Sequence, residues 1–182
     1  MRHEARGPGR RKENGDREVG TDVTKNVPDC PPWLSRFREE GPRMPVPPMF
    51  RPEPGARPAA VLILFGEGPD GPDVLLTERA ATLNNHAGQP AFPGGRIDPE
   101  DDGPVAAALR EAWEEAGVEP SGVDVLCSLP ELYLSRSRHR VTPVAGWWRE
   151  PSEVAPGHPG EVAAVARVPI GELVDPENRL MV

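Results

Sequence analysis

The amino-acid sequence predicts an α/β fold, a mixed and twisted β-sheet held between helices, behind a proline-rich N-terminal extension. Three observations carry that expectation. Short apolar runs of strand length recur between Ala59 and Val168, a single strong helix-forming segment interrupts them, and many of the 25 prolines crowd the first third of the 182 residues. Strands on both sides of a helix indicate a sheet with helices packed against it. One domain with extensions suits this length.

Residues 1–27 are polar, charged and without periodicity, and are expected to be disordered. Pro31-Pro32-Trp33-Leu34-Ser35-Arg36-Phe37 predicts a short helical turn, with Trp33 and Phe37 at i, i+4 docking on the domain as a staple. Residues 41–58 are proline-laden and should be extended. The chain therefore divides into a disordered extension, 1–54, and a folded domain, 55–182. The apolar run 59–65, AAVLILF, is a strand buried on both faces, and after a turn-rich link 73–77, DVLLT, is its antiparallel partner. A loop, 79–89, leads to a short edge segment, 90–93, and the Gly94-Gly95 turn. Residues 105–116 are rich in Ala, Leu, Glu and Arg, with Gly103-Pro104 at the start and Gly117 past the end, so they form a helix. Strands follow at 123–129, 132–134, 141–148 and 161–168, with a loop at 151–160 and a short helix at 170–174.

Composition narrows the function classes. A net charge of −8 gives nucleic acid no broad electrostatic reason to bind. An anionic substrate would need local help from metal ions or a few arginines. Cys30 and Cys127 lie in a proline-rich segment and an apolar run, so neither a disulfide framework nor a zinc site is indicated. No apolar stretch approaches the roughly 18 residues that span a bilayer. The basic N-terminus lacks an apolar core and carries Glu4, Glu13 and Asp16, unlike a secretory signal. Neither membrane nor nucleic acid is an expected partner, and the expected location is the cytoplasm.

On the helix 105–116, Glu111, Glu114 and Glu115 are related by i+3 and i+4 and share a narrow arc. Each like-charge pair there costs a few tenths of a kcal/mol in an isolated helix, and only Arg110 is near enough in sequence to compensate. Such a trio is either a solvated acidic face or a site for a divalent cation. The Gly-Gly turn upstream, the Arg before the first Glu and the Gly after the last favour the second.

Gly95 followed by Arg110-Glu111-Ala112-Trp113-Glu114-Glu115-Ala116-Gly117-Val118 resembles the Nudix box, G-x5-E-x7-R-E-U-x-E-E-x-G-U with U apolar. Its second half matches at every fixed position. In the first half, counting back from Arg110 reaches Asp102 where the pattern has Glu, and the interval from Gly95 is one residue longer. Upstream, Leu75-Leu76-Thr77-Glu78-Arg79-Ala80 and His86-Ala87-Gly88-Gln89-Pro90-Ala91-Phe92-Pro93-Gly94-Gly95 resemble the added signature of the coenzyme A pyrophosphatase branch, whose members share the longer interval. Asn84 stands where that signature has Arg.

The resemblance implies a Nudix sheet between helices and a hydrolase that uses Mg²⁺ or Mn²⁺ to split coenzyme A, or its thioesters, into 4′-phosphopantetheine and 3′,5′-ADP. It implies that Glu111, Glu114 and Glu115, with the main-chain carbonyl of Gly95, hold the metal, oxygen ligands suited to such ions. Glu114 or Glu115 would be the base, Arg110 the internal partner that orients the carboxylates, and Glu161, which opens the strand EVAAVARV, a further group near the metals. Arg79, His86, Gln89 and Phe92 would line the coenzyme A side. Trp113, at an unspecified box position, reads as packing. Ser137-Arg138-His139-Arg140 reads as a solvated basic loop that is also placed to meet a 3′-phosphate. Two other readings stay open: hydrolysis of another nucleoside diphosphate derivative such as ADP-ribose or NADH, and a non-catalytic ligand-binding module. A homodimer is compatible with the family. In relatives a further strand and helix follow the segment that resembles 175–179, so the resemblance also implies a domain lacking them, with apolar sheet surface exposed in their place.

Overall fold

The computed structural model of the chain describes residues 30–51, 53–81, 87–158 and 160–178. The expectations placed on residues 1–27, Asn84 and His86 lie outside the described residues. The strands are β1 (Arg57–Gly68), β2 (Gly71–Arg79), β3 (Pro90–Ala91), β4 (Gly94–Arg96), β5 (Val123–Ser128), β6 (Leu132–Leu134), β7 (His139–Trp148) and β8 (Val162–Pro169). The helices are α1 (Pro32–Glu40), α2 (Gly103–Ala116) and α3 (Ile170–Val174).

The strand order β3-β2-β1-β7-β5, with β4 on β1, β6 on β7 and β8 on β2, makes one mixed sheet. β1 and β7 run parallel from Arg57↔His139 to Phe65↔Trp147, and the other pairings are antiparallel. β1 and β2 form a hairpin paired only from Phe65↔Val74 to Gly68↔Gly71. Beyond that they separate. β4 then pairs with β1 through Ala59↔Arg96, Ala60↔Gly95 and Val61↔Gly94, while β3 and β8 pair with β2. This parting of two neighbouring strands creates the room in which the site lies.

Alternation along the strands fills both faces. Ala60, Leu62, Leu64, Leu75, Val144 and Trp148 face α2, whose Ala107, Ala108, Ala112 and Ala116 are fully buried. Four alanines on one stripe leave little side chain between helix and sheet, so α2 sits close. Gly117, at φ +73°, ends α2 in the left-handed conformation that spares glycine a Cβ clash.

The opposite face packs Leu34, Leu126, Cys127, Ala145 and Trp147, flanked by Phe37 and Phe65. Here the structure departs from the expected disorder of 1–54: α1 and two short 3₁₀ turns, Gly41–Arg43 and Pro48–Phe50, occupy its later part. Trp33 and Phe37 do meet the sheet, each edge-on to Phe65 at 5.7 and 5.5 Å. The buried anchor is nevertheless Leu34, 1% exposed against 43% for Trp33. Leu34 and Phe37 are i, i+3 neighbours and form the seam, which pushes Trp33 to its edge. Gly41 follows because a Cβ there would lie 2.8 Å from Leu129.

On this same face, β2 and β8 stay uncovered among the described residues. Leu76, Ala164, Ala166 and Val168 line a shallow apolar groove of about 200 Å³. Leu173 and Val174 of α3 are exposed nearby in sequence.

Candidate active site

The Gly94-Gly95 pair is set by close approach. A Cβ on Gly94 would collide with the Ala60 carbonyl and the Val61 backbone, and one on Gly95 would overlap the Glu111 carboxylate. β4 is thereby pressed between β1 and the acidic stripe of α2. The N–H of Gly94 donates to Glu115 Oε2 at 3.0 Å.

Glu115 is buried, and burial pushes its carboxyl up to about 7. The Gly94 N–H and the Arg79 charge pull the other way, while Glu111 and Glu161 add to the rise. Those influences place the start of β8 and the end of β2 in electrostatic reach of α2. Glu161 is itself exposed, and its backbone is held by Ala80 N–H donating to its carbonyl at 2.8 Å. Glu111 is also raised, first by burial, with Arg110 opposing.

Arg110 gathers the acidic groups. Its Nε and Nη2 donate to the two oxygens of Asp101 at 3.0 and 2.9 Å, Nη1 donates to Glu111 and Glu114 at 3.1 and 3.2 Å, and Nη2 also donates to the Arg96 carbonyl at 3.1 Å. These five bonds use the whole guanidinium fork. Its hydrogen bonds to Asp101 hold that carboxyl below its ordinary range.

Asp101 is the residue that counting from Arg110 missed. Asp102 is exposed at the start of α2 and makes no capping bond, whereas Asp101 is 7% exposed at its side chain. Counted forward from Gly95 by the box spacing, the acidic position falls on Asp101. The extra residue therefore lies between Asp101 and Arg110, and Gly103 at φ +84° adopts the turn there that L side chains resist.

A cleft of about 470 Å³ opens beside this cluster. Ala59, Val61 and Val141 line it, with Arg79, Gln89, Pro90 and Ala91 from the β2 and β3 side and Leu134, Ser137 and His139 from the β6 and β7 side. Gly94, Gly95 and Arg96 border it, so Gly95 belongs both to the cleft and to the Glu111 contact. Phe92 is half-buried and is not part of the lining. Of the basic loop, Ser137 and His139 reach the cleft, while Arg140 pairs with Glu131 at 3.2 Å and Arg138 turns at φ +56°. Trp113 is 55% exposed, so the expected packing role fails: it lies off the alanine stripe that faces the sheet.

The donors near α2 are carboxylates, the chemistry a hard divalent cation prefers. Among the described residues, no three His, Cys, Asp or Glu side chains already converge closely enough to hold an ion. Glu111 and Glu114 are turned to Arg110, and Glu115 to the Gly94 N–H.

The profile of the NUDIX domain matches residues 55–181, most of the chain. The chain belongs to the Nudix family. It is 45% identical over 142 residues to the uncharacterized Nudix hydrolase NudL of Cronobacter sakazakii, covering 77% of this chain and 69% of that protein. Nudix hydrolase 15, mitochondrial, of Arabidopsis thaliana is 44% identical over 123 residues, 66% of this chain and 43% of the relative, so the chain spans under half of that protein. Among solved structures, the M. smegmatis Nudix hydrolase RenU aligns at TM-score 0.55 with 28% identity over 65% of this chain and 73% of its own. A C. elegans Ap4A hydrolase aligns at 0.53 with 20% identity over 64% and 83%, a likeness of fold. These Nudix relatives are named hydrolases, and this chain carries the hydrolase domain of the family.

Proposed function

We propose that this Nudix domain hydrolyses the diphosphate bond of coenzyme A or its derivatives, with Mg²⁺ or Mn²⁺, to 4′-phosphopantetheine and 3′,5′-ADP. The observation that carries the reading is the seating of Glu111 and Glu115 directly against the Gly94-Gly95 turn that borders the cleft. A diphosphate laid along that turn meets the acidic stripe on one side and Arg79 on the other. The branch signature around Arg79, Gln89 and the Gly pair supports coenzyme A as the nucleotide.

Glu111, Glu114 and Glu115 are the groups that would hold the cation, with Gly95 beside them. A bound divalent cation neutralises the diphosphate and makes water acidic enough to attack it. Arg110 holds Glu111 and Glu114 through the same guanidinium nitrogen, and a cation would take both over from it. Glu115, titrating near 7, is suited to take the proton of the attacking water near neutral pH. Water adds to one phosphorus, the bridging oxygen leaves with the other, and each product keeps one of the two phosphates of the diphosphate, the 3′-phosphate remaining on the nucleotide. Glu161, whose charge acts on Glu115, would be a further group approaching the same cation.

Asn84, where the branch signature has Arg, favours as a second reading the hydrolysis of another nucleoside diphosphate derivative. Product analysis separates the two. Incubation with coenzyme A and Mn²⁺ should yield 4′-phosphopantetheine and 3′,5′-ADP, and excess chelator should stop it. Intact coenzyme A beside cleaved ADP-ribose or NADH would replace the first reading with the second. Binding of either compound without metal-dependent product would identify a ligand-binding module instead.

A further inference from the structure

We infer that Arg57 and Arg96, beside His139, form a second anion subsite where β1 and β7 begin, receiving a phosphate monoester carried on the nucleotide of the substrate. The inference rests on the reading above for where the diphosphate lies, and it names residues that the Nudix box and the branch signature do not.

The sheet register brings these side chains together. Arg57 stands opposite His139 in the parallel β1–β7 ladder, and Arg96 stands opposite Ala59, two residues farther along β1. Residues two apart on a strand and their partners share a face, and diagonal neighbours of this kind lie within reach of long side chains. Their mutual influence shows in His139, which burial and then the Arg57 and Arg96 charges hold below its ordinary value. Arg96 and His139 line the cleft that also contains Arg79 and Gly95.

Among the described residues, neither arginine is neutralised by a carboxylate. Arg110, Arg140, Arg149 and Arg167 each pair with Asp or Glu, whereas among the described residues neither Arg57 nor Arg96 does. Arg57 donates to the carbonyl of Ser137, a residue of the cleft wall, at 2.9 Å, and its other donors have no acidic partner among the described residues. His139 Nε2 is buried without a hydrogen-bond partner, an unmet polar requirement in the same wall. In a chain of net charge −8, Arg96 in the cleft wall and Arg57, bonded to the wall residue Ser137, both act on His139 and form a local positive field. Guanidinium forks match phosphate oxygens bidentately, which selects a phosphate over a carboxamide or sugar hydroxyl. Arg138 and Arg140, the loop cations that the sequence singles out, have no part in this subsite.

The test is binding, measured without metal so that it does not depend on turnover. The intact chain should bind adenosine 3′,5′-bisphosphate about tenfold or more tightly than adenosine 5′-monophosphate by calorimetry. In Arg57→Gln with Arg96→Gln, that preference should fall to about threefold or less. Each preference is a ratio within one protein, so partial loss of folding cannot create the change. Equal affinity in the unmodified chain, or a preference that survives the double substitution, would overturn the subsite. If the preference collapses as expected while coenzyme A is not hydrolysed, the subsite stands and the proposed activity fails.

Discussion

Arg110 and its three acidic hydrogen-bond partners, Asp101, Glu111 and Glu114, show how much one side chain organises. Because Asp101 takes two of its five bonds, Asp101→Asn should release the guanidinium from its bidentate anchor and lower kcat by about tenfold to a hundredfold, comparable to losing an orienting partner of metal ligands. Asp102→Asn, at an exposed position with no bond to α2, should stay within about twofold. Steady-state assays of the two variants decide between the two ways of counting the box, and an Asp102 effect as large as that of Asp101 would contradict the structure. Glu115 supplies a second expectation. Its folded value near 7 lies above the ordinary carboxylate value, so the buried neutral form stabilises the metal-free fold at low pH, and that stability is lost as pH rises through about 7. The loss is on the order of 3 kcal/mol at the alkaline end, in the same direction as the smaller rise of Glu111. Urea titrations of metal-free protein from pH 5 to 8 should show the decline, and Glu115→Gln should flatten it. A profile of unchanged slope in Glu115→Gln would remove Glu115 as its source.

At the scale of elements, α1 and α2 hold opposite faces of the sheet by different means. α2 is bound by a stripe of alanines and the fit of Glu111 over Gly95, whereas α1 hangs chiefly on Leu34. Leu34→Ala should therefore cost about 2–5 kcal/mol of unfolding free energy, the range for a fully buried leucine. Trp33→Ala, despite removing a larger side chain, should cost about 1 kcal/mol or less, because that ring is 43% exposed and makes one edge contact. Urea midpoints of the two variants measure the difference. Equal losses would mean that the aromatic staple, and not the leucine seam, anchors the helix.

At the scale of the whole molecule, the decisive feature is the separation of β1 from β2. β4 enters the resulting space, brings Gly94 and Gly95 under α2, and leaves an apolar-floored cleft lined by Arg79 and Arg96, with Arg57 bonded to the wall residue Ser137, in an otherwise acidic chain. The sequence by itself determined the strands at 59–65, 73–77, 132–134 and 141–148, because each is a bounded apolar run, and it determined α2, because helix formers lie between Gly103-Pro104 and Gly117. The acidic trio was legible for the same reason: i+3 and i+4 spacing fixes which side chains share a helix face. Tertiary structure decided what spacing along one element cannot. It chose Asp101 over Asp102, since a turn at Gly103 absorbs a residue that counting must place somewhere. It set Glu161 and Arg79 within electrostatic reach of Glu115, and Arg57 opposite His139, through pairings between strands far apart in sequence. It also made Leu34, and not the expected Trp33, the buried anchor of α1, because burial against Trp147 and Leu126 depends on a sheet that the local sequence does not contain. Local periodicity specifies elements, and long-range register specifies which charges they bring together.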